Sequence, residues 1–151
     1  MRNFVLDTDI IVSLVRDQTR RNTIELIGLH EDDRRFIISI VTIGELESFG
    51  LQNKWGRRKL AKMNDILDDI VTVSLEYESI LENYAQIDAF SQGRHPSKKL
   101  NDSSRNMGKN DLRIAATAAA IDATLITTDA DFDHLDGQFI DLVRIKREEL
   151  L

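Results

Sequence analysis

The sequence predicts an α/β fold, a three-layer sandwich of helices around a central, mainly parallel sheet of about five strands. Short apolar runs rich in β-branched residues alternate along the chain with segments of helical spacing, the rhythm of strand–helix–strand units with right-handed crossovers. Acidic residues also stand beside these runs at wide intervals: Asp7 after FVL, Glu45 after FIISIVTIG, Asp111 opening NDLRIAATAAAI, and Asp129 closing TLITTD. Carboxylates so far apart in sequence converge only where neighbouring parallel strands deliver them to one edge of a sheet.

Residues 3–6 make the first strand, and Thr8 or Asp9 is placed to cap the helix that runs through IIVSLV. A second helix from about Thr19 to His30 has apolar positions at Ile24, Leu26 and Ile27. FIISI, 36–40, is the second strand. From Thr42 the spacing of Ile43, Leu46 and Phe49 is helical, ending near Gly50 to Asn53, and a further helix over about 57–69 carries Leu60, Met63, Ile66 and Leu67. IVTVSL, 70–75, is the third strand. The helix from about Tyr77 to Phe90 aligns Ile80, Leu81, Tyr84 and Ile87. Residues 91–109 hold the only proline and many polar groups and read as a mobile loop. A helix from Asn110 or Asp111 to Ile121 follows, dense in alanine for close packing on the sheet, with ATLITT and FIDLVRI as the last two strands.

At 151 residues and 42% hydrophobic content the chain suits one domain, 1–151, with a real core. No stretch approaches the roughly 20 apolar residues of a membrane span, and MRNFVLDTDI lacks the pattern of a secretory leader. The expected setting is the cytoplasm, without a membrane partner. With no cysteine and three scattered histidines, thiolate chemistry is excluded and zinc is disfavoured. The net charge of −6 argues against coating nucleic acid by bulk attraction. Basic residues nonetheless cluster at Arg57-Arg58-Lys59 with Lys62, and from Arg94 to Lys109, with His95, Lys98, Lys99 and Arg105 between. Either cluster is a solvated face or a positive rim around an acidic cleft.

Asp7 follows a strand directly, at the mouth of the sheet, whereas Asp9 is the better helix cap. Glu45 lies among Val41, Ile43 and Leu46, where an unpartnered carboxylate is costly; Glu47 points elsewhere. Asp111 opens a helix, whose positive end keeps a carboxylate ionised, and Asn110 is placed to share the capping. Asp129 repeats the placement of Asp7, with Asp131 as second choice and Asp133 on the surface. Packed carboxylates raise one another's pKa unless a cation neutralises them, and oxygen-only sets suit Mg²⁺ or Mn²⁺. One or two such ions activate water against a phosphodiester without a side-chain nucleophile, leaving a 5′-phosphate and a 3′-hydroxyl.

FVLDTDI, ISIVTIGELESFG, MGKNDLRIAATA and LITTDADF, in this order, resemble the four motifs of PIN-domain ribonucleases, and most of all the VapC-type toxins of VapBC toxin–antitoxin pairs. The resemblance implies a PIN-like fold, Mg²⁺- or Mn²⁺-dependent endonucleolytic RNA cleavage, homodimerisation, and an inhibitory antitoxin covering the cleft. Carried over by motif, the metal ligands fall on Asp7, Glu45, Asp111 and Asp129. Thr127 is the motif threonine, and Thr8 is placed to hydrogen-bond a ligand. RNA contacts are expected from Arg94, Lys98, Lys99, Arg105, Lys109 and Arg113, the last standing where many relatives carry a bulky aromatic. Two other readings compete. LDTD also resembles the opening of haloacid-dehalogenase-type phosphatases, with Asp7 as nucleophile and Asp9 as acid, and a non-catalytic binding protein would carry the same acids as a degenerate site.

Overall fold

In a computed structural model that describes residues Met1–Leu151, five strands form one sheet in the order β3-β2-β1-β4-β5. They are β1 (Arg2–Leu6), β2 (Arg34–Ser39), β3 (Val71–Val73), β4 (Thr124–Thr127) and β5 (Asp141–Arg144), and every pairing is parallel. The helices are α1 (Thr8–Val15), α2 (Asp17–Ile27), α3 (Ile40–Gln52), α4 (Arg57–Asp68), α5 (Glu78–Ser91) and α6 (Lys109–Ala120). The predicted three-layer α/β sandwich is therefore the observed one.

Strand alternation divides the core in two. Phe4, Leu6, Phe36, Ile38 and Ile126 face one layer, where Ile10 and Leu14 of α1, Ile27 of α2, and Met63 and Ile66 of α4 meet them. The intervening Val5, Ile37 and Leu125 face Ile80, Ile87 and Phe90 of α5 and Leu112 and Ile114 of α6. Each fully buried side chain of this size contributes about 1.5–3 kcal/mol, and both faces of the inner strands are lined with them.

Element ends depart from the sequence reading for local reasons. α2 stops at Ile27, short of His30, because Gly28 adopts φ 66 and the N–H of Leu29 turns back to the Ile24 carbonyl. β3 is confined to three residues at an open edge with Val71 exposed, a short margin that resists edge-to-edge pairing. Two 3-10 segments, Ala130–Leu135 and Arg147–Leu150, carry no periodic signal in the sequence.

The segment between α5 and α6 is the loop its composition suggests, and it is anchored to the fold at several points. Arg105 N–H donates to the Ser91 carbonyl at 2.8 Å, Met107 is buried against the second core layer, and Leu100 packs beside it. Lys98 Nζ donates to the Gln138 carbonyl at 3.2 Å while its charge sits over the Phe139 ring. Ser91 Oγ lies 2.7 Å from His134 Nε2, and burial holds that imidazole below its ordinary pKa. Polar composition signalled a loop; a few apolar and charged anchors fasten it.

Candidate active site

The sheet order runs outward from β1 in one direction through β2 and β3, and in the other through β4 and β5. The switch point lies between β1 and β4, where ligands gather at the carboxyl ends of an open parallel sheet. Asp7 and Asp129 stand there. Asp7 extends the ladder by donating its N–H to the Ile126 carbonyl at 2.9 Å, which sets its carboxylate beside Thr127.

That carboxylate is held from both sides. Oδ1 accepts the Thr8 N–H at 2.8 Å, capping α1, and Oδ2 accepts the Thr127 hydroxyl at 2.7 Å. Asp7 is only 6% exposed, and burial, followed by the charge of Asp9, pushes its pKa up to about 8. Thr127 Oγ also accepts the Asp129 N–H at 3.0 Å, so one hydroxyl joins two candidate ligands. The Thr8 hydroxyl donates to Glu45 Oε1 at 2.8 Å, tying α3 to the start of α1. Thr8 and Thr127 thus each hydrogen-bond a carboxylate of the cleft.

Asp7, Asp9, Glu45 and Asp129 line one cleft of about 730 Å³, together with Thr8, Thr128, Arg16 and Arg147. Asp111, in the first turn of α6, lines an adjoining cavity with Asp131. Its pKa is raised to about 6, first by burial and then by the charges of Asp129, Glu45, Asp131 and Asp9. Six carboxylates from four separate segments therefore share one field. No three of them converge at coordinating distance on a single point; Asp7, Asp9 and Glu45 instead hydrogen-bond Thr127, Thr128 and Thr8.

Two capping assignments need correction. Asp7, not Thr8 or Asp9, caps α1. Asp9 turns into the cleft: its Oδ2 accepts the N–H and the hydroxyl of Thr128, its Oδ1 is buried without a partner, and burial raises its pKa. In sequence, Asp9 at the second position of a helix is indistinguishable from a cap; only the proximity of β4 to β1 gives it another role. Likewise α6 begins at Lys109 after Gly108, so neither Asn110 nor Asp111 is its cap.

Asp129 caps the following 3-10 segment through the Asp131 N–H at 2.9 Å, while Asp131 is exposed. Among the cations expected to meet RNA, Arg94, Lys99 and Lys109 are exposed. Lys98 is engaged by Gln138 and Phe139, Arg105 pairs with Asp102, and Arg113 donates to Asn110 Oδ1 at 3.1 Å. Of the other cluster, Lys62 pairs with Asp17 and Lys59 sits over Trp55, so these two cations serve the packing of α4. Arg147, which does line the cleft, was not singled out in the sequence. Its signal was the run VRIKR at the end of the last strand.

The PIN domain profile matches residues 4–138. This chain belongs to the PIN-domain family. No curated protein sequence matches it significantly, but solved structures do. A chain of the DNA-bound VapBC complex of Salmonella typhimurium superimposes with a TM-score of 0.72 at 18% identity, covering 95% of this chain and 98% of that one. A chain of VapBC2 of Rickettsia felis, bound to a DNA fragment from its promoter, gives 0.70 at 20% identity, covering 94% and 98%. A chain of VapBC-5 of Mycobacterium tuberculosis gives 0.62 at 25% identity, covering 96% and 100%. The motif resemblance is borne out at the level of family and fold. PIN membership leaves the phosphatase reading without support.

Proposed function

We propose that this PIN domain is a metal-dependent endoribonuclease and the toxin component of a type II toxin–antitoxin pair. The observation that carries the reading is the placement of Asp7. Asp7 stands at the switch point with Asp9, Glu45, Asp111 and Asp129 in the same field, and a bound cation would offset the burial and repulsion that raise its pKa. The donor set is all oxygen, and Asp9 Oδ1 is a buried acceptor with nothing to accept. Both fit a hard divalent ion, Mg²⁺ or Mn²⁺.

Asp7, Glu45, Asp111 and Asp129 would hold that ion, with Asp131 as the alternate to Asp129. Bound there, the ion supplies Lewis-acid activation of water and a counter-charge for the departing oxyanion. Thr127 orients Asp7 and, through its backbone contact, Asp129; Thr8 orients Glu45. Such outer contacts preserve ligand direction while charges rearrange. The cleft holds no cysteine and no histidine, and direct attack by water on the phosphodiester is the step this reading assigns to it.

RNA as substrate is supported by the motif resemblance, and an antitoxin partner by the VapBC complexes among the structural neighbours. The homodimer and the cytoplasmic setting belong to the same reading. No helix is long and apolar enough to cross a membrane.

The test is cleavage of a pool of single-stranded and structured RNA by antitoxin-free protein, in Mn²⁺ and in EDTA, with Asp7→Asn alongside. Cleavage by wild type in metal alone supports the reading. Equal cleavage by Asp7→Asn removes the site assignment, and a folded protein that binds no Mn²⁺ returns the chain to the non-catalytic binding class.

A further inference from the structure

We infer that Arg144, Lys146 and Arg147 form a phosphate-binding ledge that holds the RNA backbone on the Asp129 side of the cleft, with Arg147 as the positioning residue beside the acids. This rests on the nuclease reading and specifies how a polyanion is admitted to an acidic site.

The ledge follows from the sheet. β5 pairs in parallel with β4, Thr127 opposite Arg144, and the Ile145 N–H donates to the Thr127 carbonyl at 2.8 Å. The residues after β5 therefore emerge at the same edge as Asp129, one strand further out. Arg147 lines the acidic cleft with Asp7, Asp9 and Glu45. It also lines a neighbouring cavity of about 430 Å³ with Arg144, Lys146 and Asp129, so the two hollows meet at Arg147 and Asp129.

The cations are available. All three are exposed, and Lys146 and Arg147 take part in none of the four ion pairs of the chain. Arg144 pairs with Asp133 through Nε, which leaves its terminal nitrogens free. Glu148 and Asp129 are the two acids that line the same cavity. The support is rigid: Ile145 and Leu150 are buried on either side, and Asn22 Nδ2 donates to the carbonyls of Leu150 and Leu151 at 3.3 and 3.1 Å.

The charge balance makes such a ledge necessary. A chain of net charge −6 with its acids gathered in one cleft repels RNA at long range. Cations at the lip offset that repulsion where the strand enters. Of the cations between 94 and 113, Lys98, Arg105 and Arg113 are engaged within the fold, and none of the six lines the cleft of Asp7.

The experiment measures binding of a short labelled single-stranded RNA by fluorescence anisotropy across a salt series in Mn²⁺, with Asp7→Asn as the parent so that the RNA survives. Combined Arg144→Gln, Lys146→Gln and Arg147→Gln substitutions should weaken binding about tenfold or more. They should also flatten the dependence of log affinity on log salt by about 2, at roughly 0.7 per lost phosphate contact on a single strand. Arg144→Lys with Arg147→Lys should restore the slope, and in the otherwise wild-type protein Arg147→Gln should raise KM more than it lowers kcat. Mn²⁺ affinity and thermal midpoint should stay unchanged, which separates a lost phosphate contact from a damaged fold. Unchanged RNA affinity and slope in the triple variant would overturn the ledge and leave the nuclease reading standing. A parent that binds no RNA at any salt would remove both.

Discussion

The hydroxyl of Thr127 donates to Oδ2 of Asp7 at 2.7 Å, across 120 residues of chain, and is fully buried as it does so. Replacement by valine keeps the shape and removes the donor, leaving a buried carboxylate oxygen unsatisfied. Thr127→Val should cost ~1–3 kcal/mol in urea unfolding and weaken Mn²⁺ binding on the order of tenfold by calorimetry. Thr127→Ser should recover most of both. A valine variant with unchanged Mn²⁺ affinity would show that Asp7 needs no such orientation.

The raised pKa values of Asp7 and Asp111 couple stability to pH. Both carboxyls bind protons more tightly folded than unfolded, so the metal-free fold draws its full benefit below the unfolded carboxylate range and loses it as pH rises through about 6 and then about 8. The thermal midpoint without metal should therefore fall as pH is raised from about 5 to about 8. Mn²⁺ should restore it, most strongly at the upper end. Asp7→Asn should melt several degrees higher than metal-free wild type at neutral pH while losing cleavage, since sites built for ionisation oppose the fold that carries them. A wild-type midpoint that rises over the same range would contradict the burial of Asp7 as a proton-binding group.

Asp9 offers a separate handle, because its charge is the second cause of the Asp7 shift and its Oδ1 is unpartnered. In Asp9→Asn the side-chain oxygen can still accept from Thr128, so the fold should persist. The Asp7 carboxyl should titrate lower by NMR, and Mn²⁺ affinity should fall about tenfold if the free oxygen serves the ion directly or through water. An unmoved Asp7 titration would remove Asp9 from the shared field.

Met107 tests the fastening of the segment between α5 and α6. Met107→Ala empties a buried position under Ser91 and should cost ~2–5 kcal/mol, with faster proteolytic nicking between Gly93 and Gly108. Because Met107 lines the cavity of Asp111 and Asp131, Mn²⁺ binding should weaken as well, while the Asp7 cleft, which Met107 does not line, keeps its shape. Protection equal to wild type would mean that the Ser91, Lys98 and Leu100 contacts suffice without it.

The strands, the helices and the acids at strand ends were legible in the order of residues. Alternation with period 2 or 3.6 records which faces are buried, and an Asp after a run such as FVL or TLITT is an unusual place for charge unless the sheet edge uses it. Composition also left oxygen as the main donor type, since the chain has no cysteine and only three histidines. Sheet order was not legible. That β1 lies between β2 and β4 is decided by long-range packing, and the β1–β4 pairing brings Thr127 to Asp7, turns Asp9 from a presumed cap into a cleft carboxylate bound to Thr128, and delivers Arg147 to the lip beyond Asp129. Local spacing specifies faces and periods; partners more than a hundred residues away are decided by which strands pair, through burial summed over the whole core.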